Sequence, residues 1–360
     1  MRRSASSPTA RKASKKDRLA RRTSARISGR STGNVTLYDV AKLAGVSPIT
    51  VSRVLNRPEL VTPDTIDHVQ QVIARTGYVP NLLAGGLASR RSRLVAAIVP
   101  SIANSIFVDT IEALTDRLWQ AGYQVLLGLS GYPASREEGL LAAILSRRPD
   151  AILLTGISHS VESRRRLLAA KIPIVEIWDL TPTPIDMLVG FSHEKVGRAV
   201  AEYLLSKGYR RFGLLSADDM RAATRGEAFL SVLADHGITD VRSSLVPAPS
   251  TLRLGREGLA RLLDSDGFRP EAIFCSSDAL ALGALEEAQS RRLSVPGELS
   301  IMGFGDLDFA AHTFPALSTV RIDRPAVGRK AAEALLARID GQRVEKVVDI
   351  GFELIERGST

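Results

Sequence analysis

The sequence predicts an N-terminal all-α helix-turn-helix headpiece followed by an α/β core built on parallel sheets. Three observations predict it. Residues 35–79 read as short helices broken at glycine, residues 94–339 alternate apolar strand-like runs with amphipathic stretches, and the charge is divided between the two parts. Of the net +9, residues 1–34 carry 11 Lys and Arg against Asp17, residues 35–93 carry seven basic against four acidic side chains, and the remainder is net acidic. A basic front end on an acidic body implies a polyanion held by the N-terminal part.

Composition narrows the class. The chain has 360 residues, 44% of them apolar and 24% charged, which is the balance of a soluble globular protein. No run of roughly 18 apolar residues suggests a membrane span. A single cysteine, Cys275, excludes a disulfide framework and a cysteine-based zinc site. The polar, basic start does not read as a secretory signal, so an intracellular, cytoplasmic protein is expected.

Residues 1–34 are rich in Ser, Arg, Lys, Ala and Thr, cannot bury enough surface to offset their ordering entropy, and read as a disordered basic tail. From Val35 the pattern becomes helical. Thr36 caps a helix through Tyr38–Ala44, with Asp39 three residues on as a capping-box partner. Gly45 supplies a left-handed turn. Ser47 caps the next helix, Pro48–Asn56, with proline at the first position where no N–H is needed. A third helix, Pro63–Arg75, is capped by Thr62 and stopped by Gly77. Two helices across a glycine turn, the second short and polar, suit insertion of that second helix into a major groove.

Strands are expected at 94–99, 124–129, 151–154, 174–177, 187–189, 212–215, 272–275 and 300–303, with helices between them, the fifth beginning at Arg225. Alternation with buried strands implies parallel sheets covered by helices, with ligands at the carboxyl ends of the strands. Neither Gly-x-x-x-x-Gly-Lys-Ser/Thr nor Gly-x-Gly-x-x-Gly occurs, and Gly303-Phe-Gly305-Asp-Leu-Asp308 fails the second at its last position. The five histidines lack metal-ligand spacing, and Gly-x-Ser-x-Gly and His-Glu-x-x-His are absent. No catalytic residue, metal or cofactor is expected.

The run Val35-Thr-Leu-Tyr-Asp-Val-Ala-Lys-Leu-Ala-Gly-Val-Ser-Pro-Ile-Thr-Val-Ser-Arg-Val-Leu-Asn56, continued by Val61-Thr-Pro and Gly77-Tyr-Val-Pro-Asn81, closely resembles the DNA-binding headpiece of the lactose/galactose repressor (LacI/GalR) family. The resemblance implies base-reading positions at Pro48, Ile49 and Arg53. Phosphate or positioning contacts fall at Ser47, Thr50, Ser52 and Asn56, and Thr36, Leu37, Tyr38, Asn81 and Ala84 complete the set. It also implies a hinge and linker at 80–93 that folds on operator DNA and wedges Leu87 into the minor groove. Gly85 and Gly86 depart from the family's pattern there, each costing about 0.5–1 kcal/mol of helix relative to alanine.

Residues 94–360 resemble the family's regulatory core, two lobes similar to periplasmic sugar-binding proteins with a ligand cleft between them. The landmarks are Pro100-Ser-Ile-Ala-Asn-Ser-Ile-Phe107, Phe274-Cys-Ser-Ser-Asp-Ala-Leu-Ala-Leu-Gly283, Ile301-Met-Gly-Phe-Gly-Asp306 and Pro315-Ala-Leu-Ser-Thr319. Carried over, Asp278 accepts effector hydroxyls, Arg225 and Arg221 face the cleft if one helical turn joins them, and Phe107 forms an apolar wall. Ser101, Thr155, His159 and Glu176 complete the expected site, with Trp178 beside them at a strand end. Two arginines suit a carboxylate and an acid suits hydroxyls, so a polyhydroxy carboxylate satisfies both. Ser101-Ile-Ala-Asn, Gly131-Tyr, Leu154-Thr, Val175-Glu-Ile and Val189-Gly-Phe are similar to the gluconate-utilisation repressors. The expectation is therefore a homodimeric repressor of sugar-acid catabolism, binding double-stranded operator DNA and gluconate or a related acid. A phosphorylated sugar acid and corepression stay open; a plain sugar-binding protein and an α/β enzyme are the competing classes.

Overall fold

The structure is a computed structural model that describes residues 35–79, 91–102, 105–264 and 267–360. The expected tail (1–34) and most of the expected hinge, including Asn81, Ala84 and Leu87, lie outside the described residues. The chain divides into two compact units, residues 1–90 and 91–360.

Among its described residues the first unit has three helices, α1 (Leu37–Leu43), α2 (Pro48–Asn56) and α3 (Pro63–Thr76), with a short 3-10 turn at Pro58–Leu60 that the sequence did not signal. The capping box forms: the Asp39 N–H donates to Thr36 Oγ1 at 3.3 Å, and the Thr36 N–H donates to the Asp39 carboxylate at 2.9 Å. Ser47 Oγ accepts the Thr50 N–H at 3.1 Å, fixing the start of α2. Gly45 takes φ 64°, the left-handed turn that sets α2 against α1. Val40, Ala41, Val51, Val54, Val69 and Val72 form the core, one apolar stripe from each helix.

The second unit carries two parallel sheets. The first lobe is built from β1 (Leu94–Val99), α4 (Val108–Gln120), β2 (Gln124–Leu129), α5 (Ala134–Leu145), β3 (Ala151–Thr155), α6 (Val161–Ala170), β4 (Ile174–Ile177) and β5 (Met187–Gly190). The second comprises α7 (His193–Ser206), β6 (Phe212–Ala217), α8 (Met220–Asp235), β7 (Arg242–Val246), α9 (Leu252–Asp264), β8 (Ala272–Cys275), α10 (Asp278–Ser290) and β9 (Ser300–Met302). The end of the chain adds β10 (Thr319–Arg321), α11 (Arg324–Ile339), β11 (Val347–Asp349) and β12 (Glu353–Ile355). Sheet orders are β11-β5-β4-β3-β1-β2 and β7-β6-β8-β9, with β10 and β12 paired antiparallel. The chain passes between the lobes three times, after β5, after β10 and after β11. Strands buried on both faces, such as β4 and β8, explain why the sheets read as continuous apolar runs.

Four strands were not anticipated. β7 is an edge strand whose first two residues, Arg242 and Ser243, are exposed, so it lacks an apolar run. β10, β11 and β12 have three residues each. The helix expected to begin at Arg225 begins at Met220, because Asp219 caps it by accepting the Ala222 N–H at 3.0 Å. That puts Arg221 and Arg225 one turn apart on α8.

Candidate functional site: a nucleic-acid face and an effector cleft

On the first unit, burial and exposure alternate around α2. Val51 and Val54 face the core, whereas Ser47, Ile49, Arg53 and Asn56 are exposed and Pro48, Thr50 and Ser52 half-buried. Ile49 is 65% exposed and Tyr38 73% exposed, although both are large apolar side chains. Leu37 differs, being half-buried against the headpiece core. The Asn56 side-chain amide donates to the Ser52 carbonyl at 2.9 Å, which holds it at the end of α2. The Arg53 guanidinium has no partner among the described residues. A short helix presenting an isoleucine, an arginine and small polar groups to solvent matches what base edges require, an apolar contact for a thymine methyl and a fork for guanine.

In the second unit the carboxyl ends of both sheets converge on one cleft. An inner cavity of about 60 Å³ is lined by side chains from both lobes, among them Ser101, Phe107, Trp178, Arg221, Arg225 and Phe304. Tyr132, His193, Asp219 and Arg221 also line an adjoining outer chamber of about 1020 Å³, which Thr155 and Asp179 border as well.

Arg225 is the buried charge of this cavity. Its guanidinium donates to His193 Nδ1 at 2.8 Å and to the Ser276 carbonyl at 2.9 Å, and lies 3.9 Å from the centre of the Phe304 ring. All three partners are neutral, no carboxylate among the described residues forms an ion pair with it, and its Nε–H has no partner. Burial lowers its pKa to about 10, so the group stays charged. Because His193 Nδ1 accepts, its Nε2 carries the proton and donates to the Trp178 carbonyl at 2.8 Å. Burial, then the charges of Arg225 and Arg221, hold the imidazole well below its ordinary pKa and keep it neutral. Trp178 packs edge-to-face on Phe107 and Phe191, takes the left-handed φ of 72°, and leaves its indole N–H without a partner among the described residues.

Arg221 reaches across the cleft. It lies 3.5 Å from the Asp179 carboxylate and 5.7 Å from the Phe107 ring centre, both in the first lobe. Burial raises Asp179 to about 6 despite that arginine.

Of the expected effector residues, the structure brings Ser101, Phe107, Arg221 and Arg225 to the inner cavity and Thr155 to the outer chamber. Three are placed elsewhere. His159 is buried between two carboxylates, with Nδ1 3.0 Å from Glu137 and Nε2 3.4 Å from Glu176, and Glu176 also accepts the Ile185 N–H at 2.6 Å. Asp278 is fully buried and accepts from Thr319 Oγ1 at 2.6 Å and the Leu307 N–H at 2.8 Å. All three make their hydrogen bonds or close ionic contacts within the protein, and Ser277, next to Asp278 in the chain, lines the cavity. Tyr132, His193, Asp219, Ser276 and Phe304 were missed. Their signal was position alone, each following a strand's carboxyl end.

Residues 36–81 match the model of the bacterial regulatory proteins of the lacI family, and residues 201–360 that of the periplasmic binding protein-like domain. The transcriptional regulator GntR of Pseudomonas aeruginosa is 41% identical over 334 residues, 92% of this chain and 97% of the relative. A LacI-family transcriptional regulator from Silicibacter pomeroyi superposes with TM-score 0.84 at 33% identity, covering 90% of this chain and 99% of that one. The lac repressor dimer bound to operator and the anti-inducer ONPF gives TM-score 0.77 at 25% identity, covering 91% and 99%. No helix among the described residues is long and apolar enough to cross a membrane. With a helix-turn-helix unit matching the family's headpiece and a two-lobed core with a cleft, the chain belongs to the LacI family and is a DNA-binding transcriptional regulator.

Proposed function

We propose that this chain is a cytoplasmic homodimeric repressor, released from its operator by gluconate or a closely related sugar acid. The observation that carries the effector class is Arg225: a fully buried guanidinium whose protein partners are all neutral asks for an anion from outside. A second arginine, Arg221, stands at the mouth of the same cavity, and hydroxyl and carboxylate groups of Ser101, Thr155, Asp179 and Asp219 surround the space beside it. An anion with several hydroxyls satisfies this set, and the likeness to GntR supports the choice. Leu127 and Leu129 on edge strand β2 and Leu245 on edge strand β7 are exposed, which supports pairing with a second copy. The operator contacts proposed are Tyr38, Ser47, Pro48, Ile49, Thr50, Ser52, Arg53 and Asn56, with the hinge residues Asn81, Ala84 and Leu87. The effector must favour the DNA-free arrangement to release DNA at all.

The test is operator-fragment binding titrated with gluconate, 6-phosphogluconate and 2-ketogluconate at one fixed salt concentration. Release by gluconate supports the proposal, tightening makes the compound a corepressor, and indifference to all three removes the sugar-acid effector.

A further inference from the structure

The inner cavity is lined by two buried N–H donors without partners among the described residues, and they belong to different lobes. Arg225 Nε comes from α8, and Trp178 Nε1 comes from the segment after β4. Each terminal nitrogen of the Arg225 fork already donates one hydrogen bond, to His193 and to the Ser276 carbonyl, and Phe304 covers its face. The Trp178 ring is equally constrained, held edge-on between Phe107 and Phe191 and 1% exposed. Leaving a buried donor unpaired costs about 1–3 kcal/mol, more for a charged group, so two in one cavity mark a place for an external acceptor. The outer chamber has the opposite character, with Glu137, Asp179, Glu194, Asp218 and Asp219 along its walls against Arg221. Carboxylates there accept from hydroxyls and repel an anion.

We infer that the effector binds carboxylate-first, its carboxylate accepting from Arg225 Nε and Trp178 Nε1 and its hydroxylated tail extending into the outer chamber. This rests on the sugar-acid reading and adds an orientation and a specificity-determining residue, Trp178. The indole donor bridges the lobes through the ligand: the carboxylate is held by one lobe's arginine and the other lobe's tryptophan, so an anion draws the two together where an uncharged polyol does so weakly.

Gluconate and glucitol, which carries a hydroxymethyl group in place of the carboxylate, are titrated calorimetrically into the full chain and into Trp178→Phe. Phenylalanine keeps a ring between Phe107 and Phe191 and removes the N–H. The expected result is a loss of roughly ten- to a hundredfold in gluconate affinity, with glucitol affected less. A second measurement needs no change at the site. The chain has two tryptophans, and Trp119 is exposed, so Trp119→Phe leaves one indole N–H resonance, which gluconate and not glucitol is expected to move downfield. Unchanged gluconate affinity in Trp178→Phe, or an unmoved indole resonance at saturating gluconate, overturns the orientation and leaves the sugar-acid reading standing. Failure of the unmodified chain to bind gluconate overturns both.

Discussion

His193 Nδ1 accepts a hydrogen bond from the Arg225 guanidinium at 2.8 Å, and this single contact fixes the tautomer of one residue and the direction of the other. The imidazole sits where the chain first crosses between the lobes, at the start of α7, and its Nε2–H reaches the Trp178 carbonyl. One neutral ring therefore ties a crossing segment, the buried Arg225 and the left-handed tryptophan together.

His193→Ala is expected to destabilise the core by about 1.5–3 kcal/mol, because it leaves a buried guanidinium one acceptor short. His193→Gln, with an amide that both accepts and donates, should recover more than half of this in urea denaturation. The pH dependence has a defined sign. A histidine depressed when folded contributes stability fully present above its unfolded pKa of about 6.5 and lost as pH falls below it. Denaturation midpoints of His193→Gln should therefore fall less steeply on acidification than those of the unmodified chain.

Adjacent positions on α2 should separate recognition from folding. Ile49 is exposed, so Ile49→Ala leaves the melting temperature unchanged and reorders affinities across half-site variants, at about 1–3 kcal/mol per base pair. Val51 is fully buried, so Val51→Ala costs roughly 2 kcal/mol of headpiece stability with no change in ranking. Unchanged ranking in Ile49→Ala would remove that residue from base reading.

The headpiece was legible almost residue by residue, because Thr36, Gly45, Ser47 and Pro48 act through local backbone chemistry that sequence spacing exposes. The cleft was legible only in part. Arg225 was found by its match to the family's arginine and Arg221 by its place four residues earlier, and the turn that joins them depended on an Asp219 cap that the sequence reading did not assign. His193, Ser276 and Phe304 converge from separate strands, and no local pattern marks residues that meet only after two sheets align. His159, Glu176 and Asp278 show the converse: polar residues near strand ends whose close partners in the structure are other groups of the protein.

His159 opposes His193 in sign. Hydrogen bonds and charge from Glu137 and Glu176 outweigh its burial and raise its pKa to about 9. Its contribution, on the order of 3 kcal/mol, is fully present below its unfolded pKa and is lost as pH rises from about 6.5 through about 9. His159→Gln should flatten the stability profile across that alkaline window. A slope identical to the unmodified chain's would show that the imidazole is not charged between the two glutamates.

Gly197 on α7 lets the Arg225 turn of α8 pack closely against it. A Cβ there would collide with the Arg225 carbonyl oxygen and crowd the Ala228 side chain, so α7 and α8 approach as closely as they do only through this glycine. Gly197→Ala should cost about 1–3 kcal/mol by overpacking. It should also weaken effector binding more than Gly208→Ala, whose Cβ meets nothing within 4 Å but which carries its own backbone strain at φ 94°. Equal effector affinities in the two variants would uncouple helix spacing from the cavity.

Asp179 is expected to make effector binding proton-linked. Its carboxyl, raised to about 6 by burial, faces Arg221 and is 3.5 Å from His193 Nε2, with the charges of Arg225 and Asp219 acting on it. A sugar-acid carboxylate held in the adjoining inner cavity offsets the charge of Arg225, which otherwise favours the ionised Asp179, and so raises the Asp179 pKa further. A proton is then taken up on binding, so affinity should rise as pH falls from about 8 toward about 6 and level off below the free-state pKa. Ordinary carboxylic acids stay ionised across this window, so the ligand itself supplies no slope. Calorimetry in two buffers of different ionisation enthalpy reads the uptake directly. Asp179→Asn should bind with a pH-independent affinity and no uptake, while Arg221→Ala should lose affinity at every pH. A slope that survives in Asp179→Asn would assign the proton to another group in the cleft.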